Sequence, residues 1–191
     1  ITLDKRNQSF QPTEGYSTSF FQSLPLIQDS SSIINTFNAN TWHEISENVI
    51  GSLKFQAKTV HGIDDNVRLT NRLFVSGRKL RGFVRGKVGP KDGADWIGGN
   101  YVTGLSVEAQ LPHLLPESYR TDFSLYLDTA NVWGVDYSDS IDDSNKIRSS
   151  VGVAANVFTE IGPLSWTLSQ SLTKASSDVT ETFNFNIGTS F

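Results

Sequence analysis

The chain of 191 residues has no cysteine and no methionine, and it has no long apolar run. Without cysteine the fold cannot rely on disulfides. This fits a protein that crosses an oxidising compartment without forming them. No segment approaches the roughly 18 apolar residues that a transmembrane helix needs. The chain starts at Ile1 without a leader-like stretch, so we expect a fragment of a longer protein whose signal peptide has been removed.

Charge is low overall but unevenly distributed. The formal net charge of −4 favours neither nucleic acid nor an anionic membrane surface as a partner. Half of the 16 Lys and Arg residues nevertheless fall in one acid-free stretch: Arg68, Arg72, Arg78, Lys79, Arg81, Arg85, Lys87 and Lys91. This stretch separates strand-like segments. It therefore predicts a long basic loop inserted into a β-meander, as in a barrel with an internal plug.

Apolar and polar residues alternate with the two-residue period of β-strands from residue 98 onward. The polar face is rich in Ser, Thr, Asn and Gly, whereas a solvated surface would carry Lys and Glu. Aromatic residues lie near strand ends, as in the girdles of membrane barrels. They are Tyr101, Tyr119, Trp133, Phe158, Trp166 and Phe191. We therefore predict an all-β fold, a transmembrane antiparallel β-barrel, and not a soluble sandwich.

The predicted lipid-facing side chains are Leu105, Val107, Phe123, Leu125, Val151, Val153, Leu168 and Phe185. Upstream, segments 16–24, 32–43 and 48–60 also read as strands, and residues 1–8 read as a truncated one. The prediction is thus eight complete strands and a partial ninth, forming a single barrel region over residues 1–191.

The connections alternate in length. The tight turns are 11–15, 43–48, 112–118 and 158–163, and the longer connections are 25–31, 60–97, 134–145 and 174–179. Outer-membrane barrels keep short turns on the periplasmic side, so we expect the longer connections outside the cell.

Several short motifs occur in the order of one known family. They are Leu80-Arg81-Gly82-Phe83 on the long loop, Val88-Gly89-Pro90 after it, Gly98-Gly99-Asn100 before the next strand, Asp128-Thr129-Ala130-Asn131-Val132-Trp133, Gly162-Pro163-Leu164, the closing Phe183-Asn184-Phe185-Asn186-Ile187-Gly188 with Phe191, and a first turn with Asp4, Pro12 and Gly15. Together they resemble BamA-type outer-membrane assembly factors of the BamA, TamA and two-partner-secretion transporter superfamily. Ala130 departs from this pattern, which has glycine there.

The resemblance implies that the Arg-Gly-Phe tip folds back into the barrel, with Asp128 and Glu108 as candidate partners of Arg81. An arginine in the lumen is costly unless paired, and its planar fork suits a carboxylate. Counting across the 112–118 turn places the two acids several residues apart in height. This favours Asp128 over Glu108 as the partner of Arg81. The alternative is that Arg81 is a solvated loop charge and that both acids are ordinary lumen residues.

The resemblance also implies a weak lateral seam at the terminal strand, formed by Phe183, Phe185, Ile187, Gly188 and Phe191. Barrels of the BamA type have sixteen strands and are preceded by POTRA domains. An eight-stranded barrel is filled by its own side chains and has no room for the long loop. We therefore expect the C-terminal half of a larger barrel. Two copies closing one wider barrel, or eight strands folding alone, stay open at this point.

The implied function is non-enzymatic folding and insertion of other outer-membrane proteins, in the outer membrane of a Gram-negative bacterium. Implied partners are unfolded outer-membrane proteins, lipids including lipopolysaccharide, and accessory lipoproteins acting through POTRA domains; no cofactor is expected. The alternatives are a TamA-like or two-partner-secretion translocation pore, and a small passive barrel or adhesin.

Other groups of residues give little support for other functions. His43, His61 and His113 fall on different connections and lack metal-binding spacing, so no metal site is expected. Four acids lie in one loop without an EF-hand pattern, and a solvated outer loop is expected there: Asp136, Asp139, Asp142 and Asp143. No serine has an obvious His and acid partner for hydrolysis. Aromatic residues within the basic stretch suggest nucleic acid only superficially, because membrane strands flank it.

Overall fold

The structure, a computed structural model, describes residues 1–25, 32–143, 146–160 and 162–187. Its strands are β1 (Thr2–Asp4), β2 (Gly15–Ser23), β3 (Ser32–Ser46), β4 (Val49–Gly62), β5 (Lys91–Asp92), β6 (Asp95–Trp96), β7 (Tyr101–Leu111), β8 (Thr121–Trp133), β9 (Arg148–Thr159), β10 (Gly162–Thr173) and β11 (Phe183–Ile187). Short 3-10 helices cover Leu69–Asn71 and Glu117–Tyr119. In this part of the chain, no helix is long and apolar enough to span a membrane.

Nine of the strands form one antiparallel sheet in the order β1-β2-β3-β4-β7-β8-β9-β10-β11. The remaining two, β5 and β6, pair as a small hairpin within the connection between β4 and β7. This arrangement confirms the predicted meander, including the short first strand. Among the described residues β1 and β11 do not pair with each other, so the sheet is a partial barrel with two edges.

The strands β3 and β4 end further along the chain than the sequence pattern predicted. The predicted turn 43–48 shrinks because β3 continues to Ser46 past an irregularity after Glu44, and β4 begins at Val49. His43 and His61, expected on connections, lie within β3 and β4. Both predictions were wrong for one reason: backbone pairing continues at the rim, where side chains no longer need to alternate between lipid and lumen.

The two faces of the sheet are inverted relative to a water-soluble protein. Polar side chains are buried on the inner face, with Asp128 and Ser150 both at 0% exposure. Apolar side chains are exposed on the outer face, as at Leu125 (52%) and Leu168 (59%). All eight predicted lipid-facing side chains are exposed or half-exposed on that outer face. Such a sheet is stable only where its outer surroundings are apolar, as in a bilayer.

The connection between β4 and β7, residues 63–100, is called the long loop. It folds back onto the inner face, where its apolar side chains form the core with residues of β7 and β8. That cluster contains Val75, Leu80, Phe83, Val88, Val102, Ala130 and Val132. Phe83 and Leu80 are the largest fully buried side chains described. The loop thus fills the concave side of the sheet.

Candidate functional site

The tip of the long loop reaches the inner wall through a turn that depends on glycine. Gly82 has φ of +87°, a left-handed conformation that other residues rarely adopt. A Cβ at this position would lie 2.8 Å from the Cβ of Ser169 on β10. The hydroxyl of Ser150 on β9 donates a hydrogen bond to the carbonyl oxygen of Arg81. The backbone of the tip therefore lies directly against β9 and β10.

The side chain of Arg81 points toward the neighbouring strands β7 and β8. Its Nε donates to Oδ2 of Asp128 and its Nη2 to Oδ1, both at 2.8 Å, which is a bidentate pair. The backbone N–H of Arg81 adds a third bond to the same carboxylate at 3.1 Å. Nη1 donates to Oε1 of Glu108 at 3.3 Å, and the guanidinium lies 3.4 Å from the ring centroid of Tyr126.

Both acids reach the same guanidinium because of the register between β7 and β8. Ser106 lies opposite Asp128, and Glu108 lies opposite Tyr126, so the acids are diagonal neighbours. The expectation that they lie several residues apart in height was wrong. Leu111 pairs with Phe123 across the connection, which brings the acids closer than the turn count suggested.

Electrostatics at the tip favour the charged form of Arg81. Burial opposes ionisation, but the hydrogen bonds to Asp128 and the charges of Asp128 and Glu108 outweigh it and raise the pKa of Arg81. Glu108 is also bonded by Lys54 Nζ at 2.8 Å and by the hydroxyl of Ser124 at 2.6 Å. The lumen carboxylates are thus compensated by partners on both the loop and the wall.

A second buried ion pair was missed at the sequence level. Arg148 at the start of β9 donates from Nε to Oδ2 of Asp178 at 3.0 Å, and the two side chains are 3% and 0% exposed. Nη1 of Arg148 also donates to Oδ1 of Asn131 at 2.6 Å. The available signal was Arg148 itself, a cation on a face of small polar residues, which needs a carboxylate partner when buried.

A third pair joins the base of the long loop to the loop after β8. Arg72, with a fully buried side chain, bonds to Asp136, which also accepts from the backbone N–H of Val67 at 2.8 Å and from Asn100 at 3.0 Å. Burial alone would raise the pKa of Asp136, but these bonds outweigh it and lower the pKa. The expectation of a solvated acidic loop was therefore wrong for Asp136, because this carboxylate holds the long loop.

The other acids of that loop have local roles where contacts are described. Asp143 accepts from the backbone N–H of Val135 at 2.7 Å, and Asp142 pairs with Lys146 at 3.1 Å on the surface. The described residues contain no group of three or more side chains that could hold a metal ion.

The residues of the predicted seam lie at the last strand of the sheet. Phe183, Phe185 and Ile187 face outward on β11, and pair with Leu168, Trp166 and Leu164 of β10. The rings of Trp166 and Phe185 are 5.4 Å apart. The other edge of β11 has no strand partner among the described residues. Gly188 and Phe191 lie outside the described residues.

Comparison with known proteins assigns the class of protein. The profile of the Omp85 superfamily domain matches residues 1–191, so the chain belongs to the Omp85 superfamily of outer-membrane proteins. Within that superfamily it is similar to BamA, which confirms the resemblance seen in the motifs. The outer membrane protein assembly factor BamA of Neorickettsia risticii (strain Illinois) is 27% identical over 197 residues, covering 100% of this chain and 26% of that protein.

A solved structure agrees on the fold. The crystal structure of BamA from Haemophilus ducreyi lacking POTRA domains 1–3 matches with a TM-score of 0.84 and 23% identity, over 96% of this chain and 40% of that one. The chain therefore spans less than half of each of these relatives.

Proposed function

We propose that this chain is the C-terminal barrel region of a BamA-type assembly factor, part of a larger, sixteen-stranded barrel in the outer membrane of a Gram-negative bacterium. It promotes folding and insertion of other outer-membrane proteins and catalyses no covalent chemistry. The observation that carries this proposal is the docking of the Arg81 tip on Asp128 and Glu108, at the inner wall of a sheet whose outer face is apolar.

The proposed mechanism uses the edge of β11 that would face the first strand of the complete barrel. An unpaired edge presents a row of backbone N–H and C=O groups that can pair with an incoming strand. Inside a bilayer these groups have no water to bond with, so a strand edge there strongly favours a partner. The seam at Phe183, Phe185, Ile187, Gly188 and Phe191 would thus open to template the first strand of a substrate.

The long loop would act as a brace for this machinery. Arg81, at the Leu80-Arg81-Gly82-Phe83 tip, joins Asp128 and Glu108 of two adjacent strands and holds the loop on the wall. Proposed partners are unfolded outer-membrane proteins, outer-membrane lipids including lipopolysaccharide, and accessory lipoproteins that bind POTRA domains. A homodimer is proposed only for a protein that consists of this half alone.

Reversible crosslinking in the full-length protein tests the seam. A cysteine pair that joins the terminal strand to the first strand of the barrel should abolish assembly of a reporter barrel in proteoliposomes, and a reductant should restore it. A matched control is a cysteine pair at Val153 and Leu168, which lie opposite each other in β9 and β10. That crosslink joins strands that are already paired, so assembly should continue. Full activity with the seam quantitatively crosslinked would exclude lateral opening.

Conductance separates this proposal from transport. A TamA-like or two-partner-secretion pore should show a stable large conductance in planar bilayers together with substrate passage and no assembly of reporter barrels. A small passive barrel filled by its own side chains should show neither conductance nor assembly.

A further inference from the structure

The tip of the long loop pairs with the segment that leads into the terminal strand. We call residues 174–182, between β10 and β11, the last connection. The backbone N–H of Glu181 donates to the carbonyl of Gly82 at 3.0 Å, and that of Val84 donates to the carbonyl of Val179 at 2.9 Å. These two bonds flank a β-bridge between Phe83 and Thr180. The loop tip therefore serves as a short antiparallel partner for the last connection.

Asp178 joins three segments of the chain. Its carboxylate accepts from the backbone N–H of Gly89 in the long loop at 3.1 Å and from that of Ala175 in its own connection at 2.6 Å. It also accepts from Nε and Nη2 of Arg148, at 3.0 and 3.3 Å. Because this carboxylate is fully buried, losing its charge would leave Arg148 buried without a counter-charge.

The paired segment continues into the terminal strand without a flexible link. Thr182 accepts from the backbone N–H of Ser169 on β10 at 2.8 Å, and β11 begins at the next residue, Phe183. Among the described residues, β10 is the one strand that pairs with β11. The hold on the first residue of β11 therefore contributes to how firmly the strand stays paired.

We infer that the last connection couples the position of the long-loop tip to the terminal strand, with Asp178 as the positioning residue. When the tip is docked, it holds the start of β11 on β10; when the tip leaves the wall, that start is released. The consequence for assembly rests on the proposed function, whereas the coupling is a property of the fold alone. The side chain of Arg81 bonds to β7 and β8 and not to the last connection, so its effect on β11 must pass through the backbone of the tip.

Residue-resolved hydrogen exchange on the full-length protein in lipid nanodiscs tests the coupling. Asp178→Asn keeps the side-chain size and removes the charge. We expect exchange at the amides of β11 to become about tenfold faster or more, with β7 and β8 unchanged. The control is Asp142→Asn, which breaks an exposed pair with Lys146 and should leave β11 unchanged. Acceleration confined to the last connection, or spread evenly over all strands, would overturn the inference.

A second pair of variants tests action at a distance and does not require Asp178→Asn to fold. Arg81→Gln should accelerate exchange at β11, although the Arg81 side chain makes no hydrogen bond there. Arg72→Gln removes the other buried arginine of the long loop, at its base, and should accelerate exchange only near Asp136. Unchanged protection of β11 in Arg81→Gln would contradict the coupling.

Assembly assays on the same variants separate this inference from the proposed function. Faster exchange at β11 with normal assembly would support the coupling and count against the seam as the working element. Impaired assembly with unchanged exchange at β11 would overturn the coupling and leave the proposed function standing.

Discussion

The inner face of the sheet has two regions that use polar residues differently. The covered wall, on β7–β10 beneath the long loop, carries serines that are nearly or fully buried: Ser106, Ser124, Ser150 and Ser169. The uncovered wall, on β2 and β3, carries half-buried polar side chains: Ser17, Ser19, Asn38 and Asn40. Serines occur on both walls, but those of the covered wall are buried further because the long loop lies over them.

The two walls also differ in the partners of their hydrogen bonds. On the uncovered wall, Asn38 donates to Ser19 at 3.2 Å and accepts from Gln56 at 2.8 Å, so the bonds run from strand to strand. On the covered wall, Ser106 accepts from Nη2 of Arg81 at 3.2 Å and Ser150 donates to the backbone carbonyl of Arg81, so these bonds run from the wall to the long loop. The burial and the hydrogen-bond partner of a polar residue in the lumen thus show whether the long loop docks on it.

The largest expected effect comes from undocking the loop. Arg81→Ala leaves Asp128 buried without its ion-pair partner, which should lower the free energy of unfolding by about 3–5 kcal/mol. Chemical denaturation of the full-length protein in detergent measures this loss, and assembly activity should fall with it. Lys146→Ala, which breaks an exposed pair, should change stability by less than about 1 kcal/mol. Wild-type stability and activity of the Arg81→Ala variant would contradict the proposal that Arg81 holds the long loop on the wall.

A charge on the outer face should cost nearly as much. Val153→Arg places a cation on the lipid side and should destabilise the folded barrel by about 2–4 kcal/mol near the bilayer midplane. Asn38→Arg on the uncovered wall should cost far less, because that position is half-buried and polar. Spin labels offer an independent check: oxygen should reach a label at 153, and a water-soluble relaxer a label at 38. The reverse result would invert the face assignment.

The close approach of the loop tip can be tested with two glycines that share a left-handed backbone. Gly86→Ala, at φ of +74° with nothing within 4 Å of the added carbon, should cost about 1–2 kcal/mol through conformation alone. Gly82→Ala adds a contact with Ser169 and should cost about 1–3 kcal/mol more. Equal unfolding free energies for the two variants would mean that the tip does not press on the wall.

The smallest expected effect distinguishes the two walls directly. Ser150→Ala leaves the carbonyl of Arg81 without its side-chain donor on the covered wall and should cost about 1–3 kcal/mol. Asn38→Ala on the uncovered wall removes two bonds, but water can replace them, so the loss should stay near 1 kcal/mol or below. Matched denaturation curves measure the two losses of unfolding free energy. A larger loss for Asn38→Ala than for Ser150→Ala would contradict the proposed difference between the covered and uncovered walls.

The sequence predicted the fold well because strand alternation is local. Each pair of neighbours reports which face is apolar, and the inverted burial of Ser150 and Leu168 follows from that pattern. The ion pairs Arg148–Asp178 and Arg72–Asp136 were not predictable in this way. Asp178, Arg72 and Asp136 lie in connections that have no periodicity, and their pairing is set by how the long loop and the last connection fold. Arg81 was singled out by its motif and by the family resemblance, not by local pattern.

The apolar outer face also has a consequence for how such a protein reaches its place. A folded sheet that exposes Leu125, Val153 and Leu168 would aggregate in water, so it cannot cross an aqueous compartment in finished form. It has to arrive unfolded and fold where the lipid is. Under the proposed function the protein is then itself a substrate of this assembly activity, so the insertion of new copies requires active copies already in the membrane. The capacity for assembly would then be inherited with the parent membrane, in addition to being encoded in the gene for the protein.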